Sequence, residues 1–585
     1  MKKLYILSLF IYTHLVVSYG QARFTRITDA VFAQKLGDWR SVNWVDYNND
    51  GWLDLFISQG PQAGANNSLY KNNKNGTFSA ITNDPIVSDG APSDGATWGD
   101  MDNDGDLDCF VVNWYGINNL FYLNNGNDSF TQITTGNFVT DGGYSETASW
   151  GDYDNDGFLD LYVSNSEGAK RNFLYHNERN GTFSKITSGA PVTDAFFTRS
   201  VNWTDYDNDG DLDLFVTNEE NQNDNLYRND GGGVFTKITN VPIVLDGGGT
   251  MSSSWGDMDN DGDLDLFLAN DRTGNALFRN DGNGNFTKIQ SNVSETGNSF
   301  GCQWGDLDND GDLDLFVTNS FTGGPWKNFV YLNDGAGNFE KVTTGAIAED
   351  LGWNYGCALG DYDKDGDLDM ATAGCQNGSD YNRLYRNETQ GKKWLEIKLV
   401  GVATNKSAIG CKVRVKATIR GRSVWQMREI SAQSGYCGQN QLDVHFGLDD
   451  AAVVDSVAID WLSGRKDKYS AIVPNRFYQI TEGSPLTTGL KEAQDPSVFG
   501  TFSVSPNPAT DVVHINFEMN DSADVRLDVY DMSGRLVKTV LSKKLAKGKQ
   551  HFELQKAQNK LENGAYQLVL KAGGQVLSQK IIFIK

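Results

Sequence analysis

Seven stretches of this chain carry carboxylates at a spacing that can hold a metal ion: DYNNDGWLD from Asp46, DMDNDGDLD from Asp100, DYDNDGFLD from Asp152, DYDNDGDLD from Asp205, DMDNDGDLD from Asp257, DLDNDGDLD from Asp306 and DYDKDGDLD from Asp361. Positions 1, 3, 5 and 9 are Asp46, Asn48, Asp50 and Asp54; Asp100, Asp102, Asp104 and Asp108; Asp152, Asp154, Asp156 and Asp160; Asp205, Asp207, Asp209 and Asp213; Asp257, Asp259, Asp261 and Asp265; Asp306, Asp308, Asp310 and Asp314; and Asp361, Asp363, Asp365 and Asp369. Carboxylates this close repel one another unless a cation neutralises them. Alternate side-chain oxygens, a Gly at position 6 for the tight turn, a backbone carbonyl at 7 and a final carboxylate at 9 form an oxygen cage for a hard divalent ion. Calcium accepts six to eight such ligands, whereas magnesium keeps its waters. One copy is compatible with an ordinary polar hairpin turn. Seven copies with 27 of 28 ligand positions Asp are not, and they predict up to seven calcium ions, Asn48 making the first site the weakest.

Each loop starts like an EF-hand, but position 12 is Ile57, Val111, Val163, Val216, Leu268, Val317 or Thr372, none of which supplies the bidentate carboxylate. Successive copies begin 54, 52, 53, 52, 49 and 55 residues apart, a period long enough for a four-stranded sheet. Within most periods a Trp two residues before the first Asp (Trp44, Trp98, Trp150, Trp203, Trp255, Trp304; Leu359 in the last) is followed by an apolar run, an Asn-x-Leu-Tyr segment and a Gly-Asn-Phe-Thr type of phrase, read as four strands. The Trp row reads as packing between sheets. The last repeat lacks its Gly-Asn-Phe strand, and Phe24-Thr25-Arg26-Ile27-Thr28 supplies one at the other end. Closing the array by that exchange removes its exposed edges. The expectation is an all-β chain with a seven-bladed β-propeller over residues 21–391.

The loops and their period resemble the FG-GAP/VCBS repeats of integrin-type propellers. The resemblance implies that calcium sits in the hairpins between strands one and two, buttressing one face, and that a ligand meets the opposite face. On that face, Trp114, Tyr115, Phe321 and Trp326 fall in loops between strands two and three, and Tyr144, Phe196, Phe197, Arg199, Trp353 and Tyr355 in loops between strands four and one. Exposed aromatics around a shallow face suit a glycan or an extracellular protein. Trp114, Tyr115, Phe321, Trp326, Phe196 and Arg199 are the candidate ligand-face residues.

The 585 residues carry 76 Asp and Glu against 50 Lys and Arg, a formal charge of −26, which argues against nucleic acid or anionic lipid as partners. Lys2 and Lys3, the apolar run Leu4 to Val17 and small residues Ser18 and Gly20 form a secretory signal pattern over residues 1–20. No later segment is apolar enough to span a bilayer. Six cysteines, Cys109, Cys302, Cys357, Cys375, Cys411 and Cys437, form no CxxC pair; export permits disulfides, and Cys411 with Cys437 is the expected one. Residues 392–483, with Ala408-Ile409-Gly410, His445-Phe446-Gly447-Leu448 and Trp461-Leu462-Ser463-Gly464, resemble the ASPIC/UnbV domain that follows such a propeller in the cartilage acidic protein family. That resemblance supplies no chemistry. Residues 484–498 read as a linker. Residues 499–585 alternate as strands of a small sandwich, and Ser505-Pro506-Asn507-Pro508, Asp531-Met532-Ser533-Gly534-Arg535, Gly564-Ala565-Tyr566 and Lys580 are similar to the C-terminal sorting domain of type IX secretion cargo. This implies passage across an outer membrane to the medium or the cell surface, with the type IX machinery as a partner.

No GxSxG, HExxH or phosphate-cradling loop occurs, and the five histidines, His14, His176, His445, His514 and His551, are scattered. Two functions stand: a calcium-buttressed binding or adhesion module, and a polysaccharide-active enzyme using carboxylates on the loop face. Asp89, Asp94, Asp141, Glu146 and Asp246 lie in the right loops for the second, and their burial and pairing discriminate the two.

Overall fold

The second strand of each repeat is a run such as Leu214-Phe215-Val216 rather than an in-out alternation, because both of its faces are covered by neighbouring sheets. In the computed structural model, which describes residues 22–320, 324–389, 391–485, 499–519, 522–531, 536–559, 561–572 and 575–584, these strands are buried throughout. The expected signal peptide, most of the 484–498 linker, Phe321 and Met532 to Arg535 lie outside the described residues.

The fourth repeat shows the pattern: Thr198–Thr204, Asp213–Asn218, Asn225–Asn229 and Phe235–Ile238 form an antiparallel sheet, with Trp203 opposite Leu214, Leu214 opposite Tyr227 and Tyr227 opposite Lys237. Among the described residues the repeats pair into seven such groups of four, whose first strands are Leu36–Val45, Ser93–Gly99, Ser145–Gly151, Thr198–Thr204, Thr250–Gly256, Thr296–Gly305 and Asn354–Gly360. The last group takes its fourth strand from the start of the chain. Phe24–Ile27 runs antiparallel to Arg383–Asn387, in register from Phe24 opposite Asn387 to Ile27 opposite Leu384.

The repeated Trp packs between sheets. Trp44 stacks on Tyr362 at 5.8 Å, and Trp203 on Tyr153 at 6.0 Å. The indole N–H of Trp44, Trp150, Trp203 and Trp304 donates to a backbone carbonyl of the preceding group, Ala358, Thr97, Ser149 and Ser254 respectively. The glycine after the Trp position admits this approach: a Cβ on Gly360 would lie 2.8 Å from Trp44, the contact joining the last group to the first.

After Asn387 the chain forms two further sheets, Val444–Asp449 with Lys393–Val400 and Phe477–Thr481, and Arg422–Glu429 with Lys412–Ile419, Val454–Asp460 and Lys466–Ile472. Leu395, Ile397, Val413, Val415, Phe446, Val457 and Ile459 fill the space between them. These sheets belong to the same compact unit as the repeats, Met1–Leu490. The second unit, Lys491–Lys585, is a two-sheet sandwich around Val513, Ile515, Leu527, Val529, Leu568 and Ile581.

The expected Cys411–Cys437 disulfide is absent. All six cysteines are free and buried. Cys411 packs in the core of the two-sheet segment, whereas Cys437 belongs to the cluster of Trp39, Phe300 and Tyr355, with its thiol 3.3 Å from Asp94 Oδ1. In both places a cysteine serves as a small buried side chain.

Candidate functional site: the aspartate loops and the opposite cup

Each aspartate loop is shaped by its own first residue. The amide of position 5 donates to one carboxylate oxygen of position 1, as Asp104 to Asp100 at 3.1 Å, and the Gly amide donates to the other, as Gly105 to Asp100 at 2.8 Å. Position 4 is left-handed in all seven, at Asn49, Asn103, Asn155, Asn208, Asn260, Asn309 and Lys364, a conformation Asn tolerates. In the first six loops that Asn side chain donates to a backbone carbonyl of the next loop, from Asn49 to Gly105 at 3.0 Å round to Asn309 to Gly366 at 3.1 Å. The loops are thereby latched into a chain.

Position 9 is held from behind: its Oδ1 accepts the amide of a third-strand Asn, as Asp213 accepts Asn229 at 2.7 Å and Asp54 accepts Asn72 at 2.7 Å. Its second oxygen at Asp54, Asp160 and Asp213, and one oxygen of Asp154, Asp207, Asp259 and Asp363 at position 3, are buried with no hydrogen-bond donor. Asp100, Asp102 and Asp108, and likewise Asp205, Asp207 and Asp213, bring ligand oxygens within 4.8 Å of one another. Burial, with mutual repulsion, pushes Asp54 and Asp152 up to about 8 and Asp213 and Asp265 up to about 9. Such groups need either protons or a cation, and the donor set is all oxygen, as calcium requires.

The ASPIC/UnbV-like sheets face these loops with cations. Lys412 Nζ lies 2.9 Å from Asp205 Oδ2 and 2.6 Å from Asn208, Lys392 Nζ 3.1 Å from Asp308, Arg420 3.4 Å from Asp310 and Lys398 3.6 Å from Asp46. In the third loop His176 Nδ1 sits 3.1 Å from Asp160, a neighbour that sequence reading did not connect with the cage.

The opposite face has a different construction. The ladder between first and second strands skips register once in every group, at Arg40, Asp94, Glu146, Arg199, Met251, Phe300 and Tyr355. Bulges re-aim side chains, and these seven residues together line one cavity of about 430 Å³, with Trp114, Tyr115, Glu219, Asp271 and Arg272 at its rim. Each stands four residues before the Trp position of its repeat. One arc of the ring is charged, Arg40, Asp94, Glu146 and Arg199; the other is apolar and aromatic.

The floor of this cup comes from the ASPIC/UnbV-like segment. Residues 430–441 leave its sheet and run into the channel: Gly438–Gln439 pairs parallel with Val42 and Asn43, Ala432 O accepts Thr97 at 2.9 Å, Gln433 O accepts Asn202 at 2.6 Å, and Gln439 bonds both the N–H and the C=O of Trp98. A Cβ on Gly356 would fall 2.0 Å from Cys437 O, so the ring needs glycine there. Tyr436 at the tip donates to Glu146 Oε2 at 2.6 Å and receives Tyr355 OH at 2.6 Å.

Glu146 is fully committed. Its other oxygen accepts Trp114 Nε1 at 2.7 Å, Ser166 Oγ and Arg199 Nη1 at 2.5 Å, so its lone pairs are used. Burial raises its carboxyl, but Arg199 and these donors outweigh burial and hold it below the usual range. Asp94 is pushed up to about 7 by burial and by Glu146. The remaining loop acids are structural: Asp89 accepts Asn67 and Ala91, Asp141 is paired with Lys185 at 2.8 Å and Tyr175, and Asp246 with Lys288.

Of the candidate ligand-face residues, the fold brings Trp114, Tyr115 and Arg199 to the cup. Phe196 instead lies under Lys237 at 4.7 Å and Trp326 pairs with Gly352, both outside the lining.

The repeats match the model described as FG-GAP-like repeat over residues 59–111, 100–163, 160–216, 205–268, 257–317 and 319–372, more than half of the chain. The chain belongs to the FG-GAP-like repeat family. Behind the FG-GAP propeller, residues 401–486 match ASPIC and UnbV, and residues 503–585 match the secretion system C-terminal sorting domain. The sorting domain marks the FG-GAP protein for the type IX secretion machinery and places it outside the cell or on its surface. Among the described residues no helix is long and apolar enough to cross a membrane. No curated protein is significantly similar to the chain. Among solved structures, the chain is similar to YCF48 bound to D1 peptide (10% identity, 63% of this chain and 96% of that one, TM-score 0.40). It is also similar to a protein from Lactobacillus plantarum (16% identity, 52% and 82%, TM-score 0.35).

Proposed function

We propose that this secreted FG-GAP propeller has seven blades, is buttressed by up to seven calcium ions in the aspartate loops, and acts as a binding module for a glycan or extracellular protein that meets the opposite face. The observation that carries the reading is the set of buried loop carboxylate oxygens without donors, at Asp54, Asp154, Asp160, Asp207, Asp213, Asp259 and Asp363. Calcium bound there would be coordinated by positions 1, 3, 5 and 9, neutralise the carboxylates and brace the hairpins between first and second strands. Lys392 and Arg420 already neutralise part of the sixth loop, which is expected to bind more weakly than its neighbours.

The committed state of Glu146 favours binding over hydrolysis. A carboxylate with four donors is a fixed anchor for Trp114, Arg199 and Tyr436, and two-carboxylate glycoside chemistry needs a second free acid. The test uses glycan and extracellular-protein arrays probed with purified protein. The double substitution Asp209→Asn with Asp213→Asn should lower the melting temperature and leave array binding at low temperature largely unchanged, whereas Trp114→Ala should cost at least tenfold in affinity, as anchors of shallow sites do. Greater loss of binding in the folded aspartate variant would put the ligand on the calcium face instead.

A further inference from the structure

Resting on the loop-face reading, we propose that the ligand site is the cup at the channel mouth, closed from below by Tyr436, and that it takes the terminal residue of a neutral glycan.

The floor excludes a threading ligand. With residues 430–441 bonded to first strands around the channel, a polymer cannot pass through and only a chain end or side branch can enter. The volume, about 430 Å³, is in the range of small-molecule sites and leaves room for a short oligosaccharide terminus.

The lining matches a sugar ring on both sides. Phe300 and Tyr355, with ring centroids 5.3 Å apart, and Met251 form an apolar wall for the C–H face of a pyranose. The facing wall carries hydroxyl-binding groups. Arg199 Nε and Asp271 Oδ1 are buried with no hydrogen-bond partner among the described residues, so a donor and an acceptor are left for a ligand to satisfy. Their remaining atoms are held in place, Arg199 by Glu146 and Glu219 and Asp271 by Arg272 at 2.9 Å. The lining cations Arg40, Arg199 and Arg272 face the acids Asp94, Glu146, Glu219 and Asp271, so the cup carries at most one excess negative charge, too little to select a charged ligand. The proton that Asp94 holds up to about pH 7 brings the balance closer.

The test is a panel of neutral oligosaccharides immobilised by their reducing ends, with the methyl glycosides of their terminal residues as soluble competitors. The expected result is binding to at least one neutral chain end, competed by the matching methyl glycoside, weakened about tenfold or more in Phe300→Ala, which removes the wall, and in Met251→Phe, which fills the cup. Melting temperatures identify any variant that has failed to fold; Glu219→Gln, at the rim, gives a third reading by releasing Arg199. Absence of binding to every neutral oligosaccharide at millimolar concentration overturns the proposal, as does binding that survives both Phe300→Ala and Met251→Phe. Binding confined to proteins or polyanionic glycans also overturns it but leaves the loop-face reading standing, whereas loss of binding in the folded Asp209→Asn, Asp213→Asn variant removes the loop-face reading itself.

Discussion

Chelation is expected to lower the melting temperature of the protein on the order of 10 °C, and more at pH 8 than at pH 5.5. A site present only in the folded state contributes about 2.7 kcal/mol at a hundredfold excess of ligand over its dissociation constant, so a few sites suffice for a shift of that order. The pH dependence has a definite sign. Asp54 and Asp152 are raised to about 8 and Asp213 and Asp265 to about 9, so without calcium the folded state holds protons that the unfolded chain gives up near pH 4. Chelated protein therefore loses stability as pH rises from about 4 through 8 to 9. Calcium bound at the loops would displace those protons and reverse the trend. Calorimetric scans with and without EDTA at the two pH values check both statements. An equal melt in EDTA at pH 8 would mean the loops are ordinary turns.

Deleting Phe24 to Ile27 is expected to make the protein aggregate, although no proposed calcium ligand is touched. Those four residues pair in register with Arg383–Asn387, and their removal exposes an unpaired edge on the last sheet. Asp350 also loses its ion-pair partner Arg26, 2.9 Å away. Light scattering and size-exclusion chromatography of the deletion variant read the effect. A monomer of unchanged melting temperature would show that the first and last sheets are held together chiefly by the Trp44 contacts to Gly360, Ala358 and Tyr362.

The turn shape of the aspartate loops and the displaced strand were legible because their determinants are local: alternating acids with a Gly at position 6 are written in nine consecutive residues, and a missing strand leaves a gap in a strict period. The cup was legible only in part: the loops of Asp94, Glu146, Arg199 and Tyr355 put them on this face, but their closure into one ring with Arg40, Met251 and Phe300 was not legible, since the seven residues come from seven repeats and only the fold brings them together. A signal existed nevertheless, for every one of them stands four residues before the Trp position, at a place that reads Arg, Asp, Glu, Arg, Met, Phe and Tyr in the seven repeats. Position 4 of the loops is a similar case. Asn49 and its equivalents look like turn residues, and their bond to the next loop depends on the spacing between sheets. The channel floor carried no signal, because Tyr436 lies in an irregular stretch whose partners, Glu146 and Tyr355, are distant in sequence. The expected Cys411–Cys437 pairing failed for the same reason: the two residues share a segment of sequence, but the stretch between them carries Cys437 out of its own sheets and into the channel.

The most direct test is a count of calcium ions in the purified protein, by titration calorimetry together with metal analysis after dialysis against millimolar calcium. Several ions and up to seven are expected, removable by chelator, with the loops beginning at Asp46 and Asp306 filling last. None or one would contradict the calcium reading.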